Sequence, residues 1–214
     1  MELKPSLLII GNSNVGKSSI TRLLLPNPKQ YKGKIGKTPG STLLIKPVSQ
    51  PGLPYNIVDL PGFGYMKNVS HRREEHVKKQ VVKHIEKHHD NYFFALVVIN
   101  ILRIEDELKK YYFKNKSTIP LSIELINFLL EFNIPILVVF NKIDKISNFD
   151  KNQAIKLFLN VAREFGIKMV NLSEYNIKNN RNIPYLEFSA LKKINLGALR
   201  KIINLYYNLS KKKY

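Results

Sequence analysis

Short apolar runs alternate with amphipathic segments along most of this chain. Leu7 to Ile10 is an apolar run ending at a glycine, which reads as a buried strand. Lys17 to Leu25 follows with helical spacing and is stopped by Pro26 and Pro28. Residues 26–42 mix Pro, Gly, Lys and Thr without a period and read as a loop. Leu43 to Val48 and Tyr55 to Val58 read as strands around a Gln50-Pro51-Gly52 turn. Ser70 to His89 is charged and helical in pattern. Phe93 to Ile99 and Ile136 to Phe140 are apolar enough for buried strands. Between them, Leu121 to Phe132 has an amphipathic helical pattern, with Leu125, Leu129 and Phe132 on its core face and Ser122 as a candidate cap. Gln153 to Phe165 reads as a helix closed by Gly166, Tyr185 to Phe188 as the last strand, and Leu196 to Leu209 as the last helix. Leu102 to Thr118 and the Asn-rich stretch Asn171 to Asn182 read as insertions, and there is no internal repeat. The alternation predicts an α/β fold: a three-layer sandwich whose mostly parallel sheet is covered by helices on both faces.

Composition narrows the class. A chain of 214 residues that is 44 % hydrophobic fits one domain with a substantial core and excludes general disorder. The absence of Cys excludes a disulfide scaffold, a Cys-ligated zinc site and thiol chemistry. No apolar run approaches the ~18 residues of a membrane span, and MELKPSLLII lacks a signal peptide's apolar region, so a cytoplasmic protein is expected. Lys and Arg total 35 against 16 Asp and Glu, a formal charge of +19. Eight basic and no acidic residues lie between Leu3 and Val58, no acid follows Glu187, and the chain ends Lys211-Lys212-Lys213-Tyr214. Such a one-signed surface points to a polyanion.

The chemistry starts at the first turn. Gly11-Asn12-Ser13-Asn14-Val15-Gly16-Lys17-Ser18 fits G-x-x-x-x-G-K-[ST], between a buried strand and a helix. Backbone N–H groups of such a loop cradle phosphates, and the helix N-terminus faces the anion. Lys17 can reach the β- and γ-phosphates, and Ser18 can hold Mg²⁺. Asp59-Leu60-Pro61-Gly62 follows the strand at 55–58. Asp59 is placed to hold Mg²⁺ through water, and the Gly62 N–H can meet a γ-phosphate without a side chain in the way. Asn141-Lys142-Ile143-Asp144 follows the strand at 136–140. Asp144 can accept from guanine's ring N–H and amine, a donor pair adenine lacks, and Asn141 can help tie this loop and the purine edge together. The Lys142 stem can lie over the purine. Ser189-Ala190 follows the last strand, where a backbone N–H can meet guanine's carbonyl. Alone, each motif could be a turn; four at strand ends, in this order, point to a GTP-binding domain.

These residues resemble the EngB/YsxC family of ribosome-biogenesis GTPases, of the TRAFAC class and the TrmE-Era-EngA-EngB-like group. The resemblance runs from Leu7 to about Leu209 and rests on GNSNVGKSS (Gly11–Ser19), KTPGST (Lys37–Thr42), DLPGFGYMKN (Asp59–Asn68), FNKIDKI (Phe140–Ile146) and FSALKKINLGAL (Phe188–Leu199). The segment Ile119–Ile146 is similar to archaeal-type members. The resemblance implies a single Ras-like domain over residues 1–214, with its core at about 5–209, an insertion at about 102–118 and a basic tail at 210–214. It implies a six-stranded sheet in the order 2-3-1-4-5-6 with one antiparallel edge strand, and a role in assembling the large ribosomal subunit. It adds Ser19, Gly40, Ser41, Leu60, Pro61 and Leu191 to the nucleotide-contacting set. It assigns Thr42, rather than Thr38, as the switch residue on Mg²⁺ and γ-phosphate, so that Lys17, Thr42 and Gly62 carry the catalytic electrostatics. Two departures stand out. Asn141 begins a motif that many members write T-K-x-D, and Asn100-Ile101-Leu102-Arg103 stands where the family often has D-x-R-H.

Ras-like enzymes place a water-orienting Gln after the D-x-x-G glycine; here Phe63 stands there. Slow intrinsic hydrolysis is therefore expected, with another group or a partner completing the site. In related GTPases an asparagine at the position of Asn14 helps bind K⁺; the plain alternative is a turn residue. All five His lie within residues 71–89, and His84 and His88 share a helical face without an evident third metal ligand. Tyr111, Tyr112 and Phe113, set among lysines, can stack on RNA bases or pack on the host domain. The favoured reading is a monomeric GTP hydrolase switching on ribosomal RNA or a large-subunit precursor. The alternative is a weakly catalytic, nucleotide-gated binding module for cell-division or membrane-associated partners.

Overall fold

A computed structural model describes residues 4–31, 45, 47–62, 71–113, 118–177 and 182–211, with the backbone alone described at 71–74. The elements in chain order are β1 (Ser6–Ile10), α1 (Lys17–Leu24), β2 (Asn56–Asp59), α2 (His71–His88), β3 (Tyr92–Asn100), α3 (Ile104–Leu108), α4 (Leu121–Glu131), β4 (Ile136–Asn141), α5 (Asn148–Glu164), β5 (Met169–Asn171), β6 (Ile183–Phe188) and α6 (Leu196–Ser210).

Strand side chains alternate between faces, and that alternation sorts the core into two layers. Leu8 and Ile10 of β1 pack with α2, α3, α4 and α5; Leu7 and Ile9 pack with α1 and α6. The strand order is β2-β1-β3-β4-β6-β5, and every ladder is parallel. This is the expected α/β sandwich. In β3 the alternation breaks once: Phe93 and Phe94 both enter the α1/α6 layer. There the register with β1 slips by one residue, as a bulge requires.

Several expectations are corrected. The sheet has an edge strand, β5, that the sequence pattern did not reveal. It is three residues long, half-buried and without alternation, and it absorbs Asn171, read as the start of an insertion. The strand expected at Leu43 to Val48 falls mostly outside the described residues. Within them, Val48 forms an antiparallel bridge to Ile57. α5 begins five residues before the expected Gln153, because Ser147 caps it by accepting the Asp150 N–H at 3.1 Å. Ser122 is no cap: it lies inside α4, buried, and Pro120 holds the cap position without a side-chain bond.

The stretch read as an insertion is partly core. Ile101–Arg103 forms a 3₁₀ turn, α3 follows, and Lys109–Phe113 continues as a π-helical turn. Ile104, Leu108 and Tyr112 are buried, and the Tyr112 hydroxyl donates to Glu164 of α5. Phe113 is left exposed and Tyr111 half-buried beneath the Lys110 ammonium. Leu125 and Leu129 lie in the core as expected. The His84 and His88 rings meet at a tilt, 4.7 Å between centroids, and His84 bonds the Tyr92 hydroxyl. Among the described residues no group of three or more metal-ligating side chains occurs, and no helix is long and apolar enough to cross a membrane.

Candidate functional site

The ends of β1, β2, β4 and β6 lie at the carboxyl edge of one parallel sheet, which brings the four motifs together. The first is the turn from β1 into α1. Three of its residues take positive φ: Gly11 at 149°, Asn14 at 62° and Gly16 at 106°. Asn is among the few side chains that tolerate this region, and its own side chain is exposed. At Gly16 a Cβ would stand 2.2 Å from Asn141 Nδ2, so the loop closes on β4 only with glycine there.

Lys17 begins α1 and is buried. Its ammonium donates to the carbonyls of Gly11 and Asn12, both at 2.9 Å. Burial pushes its pKa down to about 8, partly offset by the Asp59 carboxylate. Gly62 approaches from the β2 side. A Cβ on it would lie 2.7 Å from Ser13 Cα and 2.8 Å from Lys17 Nζ, and the Ser13 hydroxyl donates to its carbonyl at 3.2 Å. The Gly62 backbone therefore sits directly against the loop and its lysine, where a γ-phosphate contact is expected.

Ser18 Oγ donates to Asp59 Oδ2 at 2.9 Å. A serine hydroxyl and a carboxylate are hard oxygen donors that suit Mg²⁺, so the pair fits the ion. Mg²⁺ bound there would supply charge neutralisation for the phosphates. Tyr31, beyond α1, donates its hydroxyl to the same Asp59 oxygen at 2.8 Å. Burial raises the pKa of this phenol, and Asp59 raises it further. No motif marks Tyr31.

The base end is wired through Asn141, which is buried. Its Nδ2 donates to the Val15 carbonyl at 2.8 Å, and its Oδ1 accepts the Ala190 N–H at 3.0 Å. One side chain thus joins three motif loops. The Ala190 N–H, expected to face guanine's carbonyl, is directed to Asn141 in this structure. Ser189 is fully buried; its hydroxyl donates to Asp144 Oδ1 at 2.6 Å and accepts the Lys192 N–H at 3.0 Å. Asp144 keeps a second carboxylate oxygen, which can take guanine's donors. Lys142, with φ of 72°, donates to the Asn14 carbonyl at 2.6 Å. Burial lowers its pKa, with Arg103 and Lys145 adding to this and Asp144 opposing it. Leu191 is largely exposed beside this loop.

The D-x-R-H departure has a simple reading. Asn100 is buried, and its Oδ1 accepts the Leu102 N–H at 3.2 Å, a cap that asparagine makes as well as aspartate. The structure also contains a contact the sequence analysis missed: Asn12 Nδ2 donates to Glu107 Oε2 of α3 at 3.3 Å. Gly40, Ser41, Thr42 and Phe63, with the lysines at 32, 34 and 37, lie outside the described residues.

The chain is similar to known GTP-binding proteins. A family model described as "50S ribosome-binding GTPase" matches residues 6–142. The chain is 28 % identical over 198 residues to a probable GTP-binding protein EngB of Methanococcus aeolicus, covering 86 % of this chain and 84 % of that one. It is 32 % identical over 162 residues to a protein of the same name from Methanosarcina mazei, covering 76 % and 72 %. A crystal structure of a probable GTP-binding protein engB superposes with a TM-score of 0.72 at 26 % identity, covering 95 % of this chain and 98 % of the other.

Proposed function

The chain belongs to the EngB family of GTP-binding proteins, and on that premise we propose that it is a GTP-hydrolysing switch in assembly of the large ribosomal subunit, contacting ribosomal RNA in one nucleotide state. The observation that carries the nucleotide part is the Asn141 clip. It holds the phosphate loop, the N-K-x-D loop and the Ser189-Ala190 turn in one bonded unit. A guanine between Asp144 and this unit, with its phosphates on the loop at 11–18, needs no rearrangement of strands.

Lys17 and Gly62 face the phosphates, Ser18 and Asp59 hold Mg²⁺, and Thr42 completes the metal set when GTP is bound. Phe63 offers no water-positioning group, so intrinsic turnover is slow. K⁺ beside Asn14 is the further ion in this reading; equal turnover in K⁺ and Na⁺ buffers would reject it. The RNA part is supported by the charge of +19 and by the acid-free stretch from Leu3 to Val58, which spans the phosphate loop and the following switch segment. Phosphate contacts of this kind give a steep salt dependence. The protein then acts as a monomer in the cytoplasm.

Sedimentation with ribosomal subunits tests the reading. Co-sedimentation with the large subunit in a non-hydrolysable GTP analogue, weakened in GDP and by added salt, is the expected result. Equal sedimentation in both nucleotides would overturn the switch. Phe63 also keeps a second reading in play: a nucleotide-gated, weakly catalytic module for cell-division or membrane-associated partners. That reading gains if the protein ignores ribosomal subunits in both states.

A further inference from the structure

Each residue of the phosphate loop from Gly11 to Val15 carries a tether. The Gly11 and Asn12 carbonyls accept from Lys17, the Ser13 hydroxyl donates to Gly62, and the carbonyls of Asn14 and Val15 accept from Lys142 and Asn141. All of those partners belong to the motifs already described. The Asn12 side chain is held differently. It donates to Glu107 of α3, a residue that no motif contains. Glu107 is itself fixed: its other oxygen accepts the Ser122 N–H, in the first turn of α4, at 2.7 Å.

We propose that Glu107 is a positioning residue for the phosphate loop, acting through Asn12 on the peptides that hold Lys17. The physical argument is one of orientation. Peptides 11 and 12 must aim their carbonyls at the Lys17 ammonium, which constrains where the neighbouring N–H groups point. A bond at the Asn12 side chain stops that stretch from rotating. Glutamate suits the task because its two oxygens serve two N–H donors at once, and a charged acceptor makes the stronger bond. Glutamine has one acceptor oxygen and serves one of them. Because α3 carries Glu107, the helical stretch 104–113 becomes part of the phosphate site's support.

The inference rests on reading Gly11–Ser18 as the phosphate site. The test measures GDP and GTP binding by fluorescent-nucleotide titration, together with thermal melting, for Glu107→Ala, Asn12→Ala, the double variant and Glu107→Gln. Each alanine variant is expected to weaken both nucleotides by about tenfold. The double variant should be no worse than either single, since both remove the same link, and Glu107→Gln should fall between wild type and Glu107→Ala. A merely structural Glu107 gives another pattern: a lower melting temperature with unchanged affinity, or affinity losses that multiply in the double variant. Either result overturns the proposal. Lys17→Ala is the control. If it leaves nucleotide binding intact, the phosphate-site reading itself has failed; if it destroys binding while Glu107→Ala does not, the failure is this inference alone.

Discussion

The base end and the phosphate end of the pocket are built on different principles. At the base end, Asn141, Ser189 and Lys142 bond to loops of the protein itself, and Asp144 keeps one oxygen outside that network. In the proposed function a purine meets a frame already bonded, with one Asp144 oxygen open to it and the Ala190 N–H shared with Asn141. At the phosphate end the groups meant for the ligand are spent on one another: Lys17 on two loop carbonyls, Ser18 and Tyr31 on Asp59. There a ligand must exchange bonds rather than fill a place. In the proposed function base selectivity is largely preorganised, while response to phosphate and metal is a competition.

Four substitutions break or sharpen that contrast. The largest effect is expected from Asp144→Asn. Losing the paired acceptor should change the guanine-over-xanthine preference by about 10³-fold, because a polar site rejects a mismatched edge strongly. Unchanged selectivity in competition binding would mean that the base loop is misread. Next is Lys17→Ala, expected to cost about 10²-fold in affinity, the loss of a charged hydrogen-bond donor, and more for GTP than for GDP in calorimetric titration. Equal losses would place Lys17 away from the γ-phosphate. Asn141→Ala leaves the Val15 carbonyl and the Ala190 N–H unpaired, at about 1–3 kcal/mol each. A lower melting temperature should accompany a loss of about tenfold shared by both nucleotides, since this end does not see the γ-phosphate. A GTP-specific loss would erase the distinction between the ends. The smallest effect belongs to Tyr31→Phe. Freeing Asp59 from the phenol should lower the Mg²⁺ concentration needed to retain GDP by about threefold, one neutral hydrogen bond's worth. An unchanged requirement would show that Tyr31 does not compete.

Most of the frame was legible in the sequence, for a physical reason. Strands buried on both faces read as apolar runs, and two of the four motif loops end such runs. Thus β1, β3, β4 and α1 fall within a residue of expectation. The misses are places where the signal was not hydrophobic. α5 starts with Ser147-Asn148-Phe149-Asp150, a polar capping pattern that could have been found. β5 has too few residues to show a period. Within the site, motif spacing named Lys17, Ser18, Asp59, Asn141 and Asp144, since backbone geometry fixes where they stand. Tyr31 and Glu107 come from loop and insertion positions whose contacts depend on tertiary packing, and their identities carry no local mark.

The Asn141 clip also bears on how the chain reaches this state. Its two bonds join residues 126 and 49 positions apart, and the Lys142 bond spans 128. Contacts so distant along the chain close large loops and form late in folding. β1 and α1 can associate early, but the guanine pocket is finished only when β6 has docked beside β4. Guanine nucleotide added during refolding should therefore leave the early rate unchanged and act on the last step, trapping completed molecules as they form.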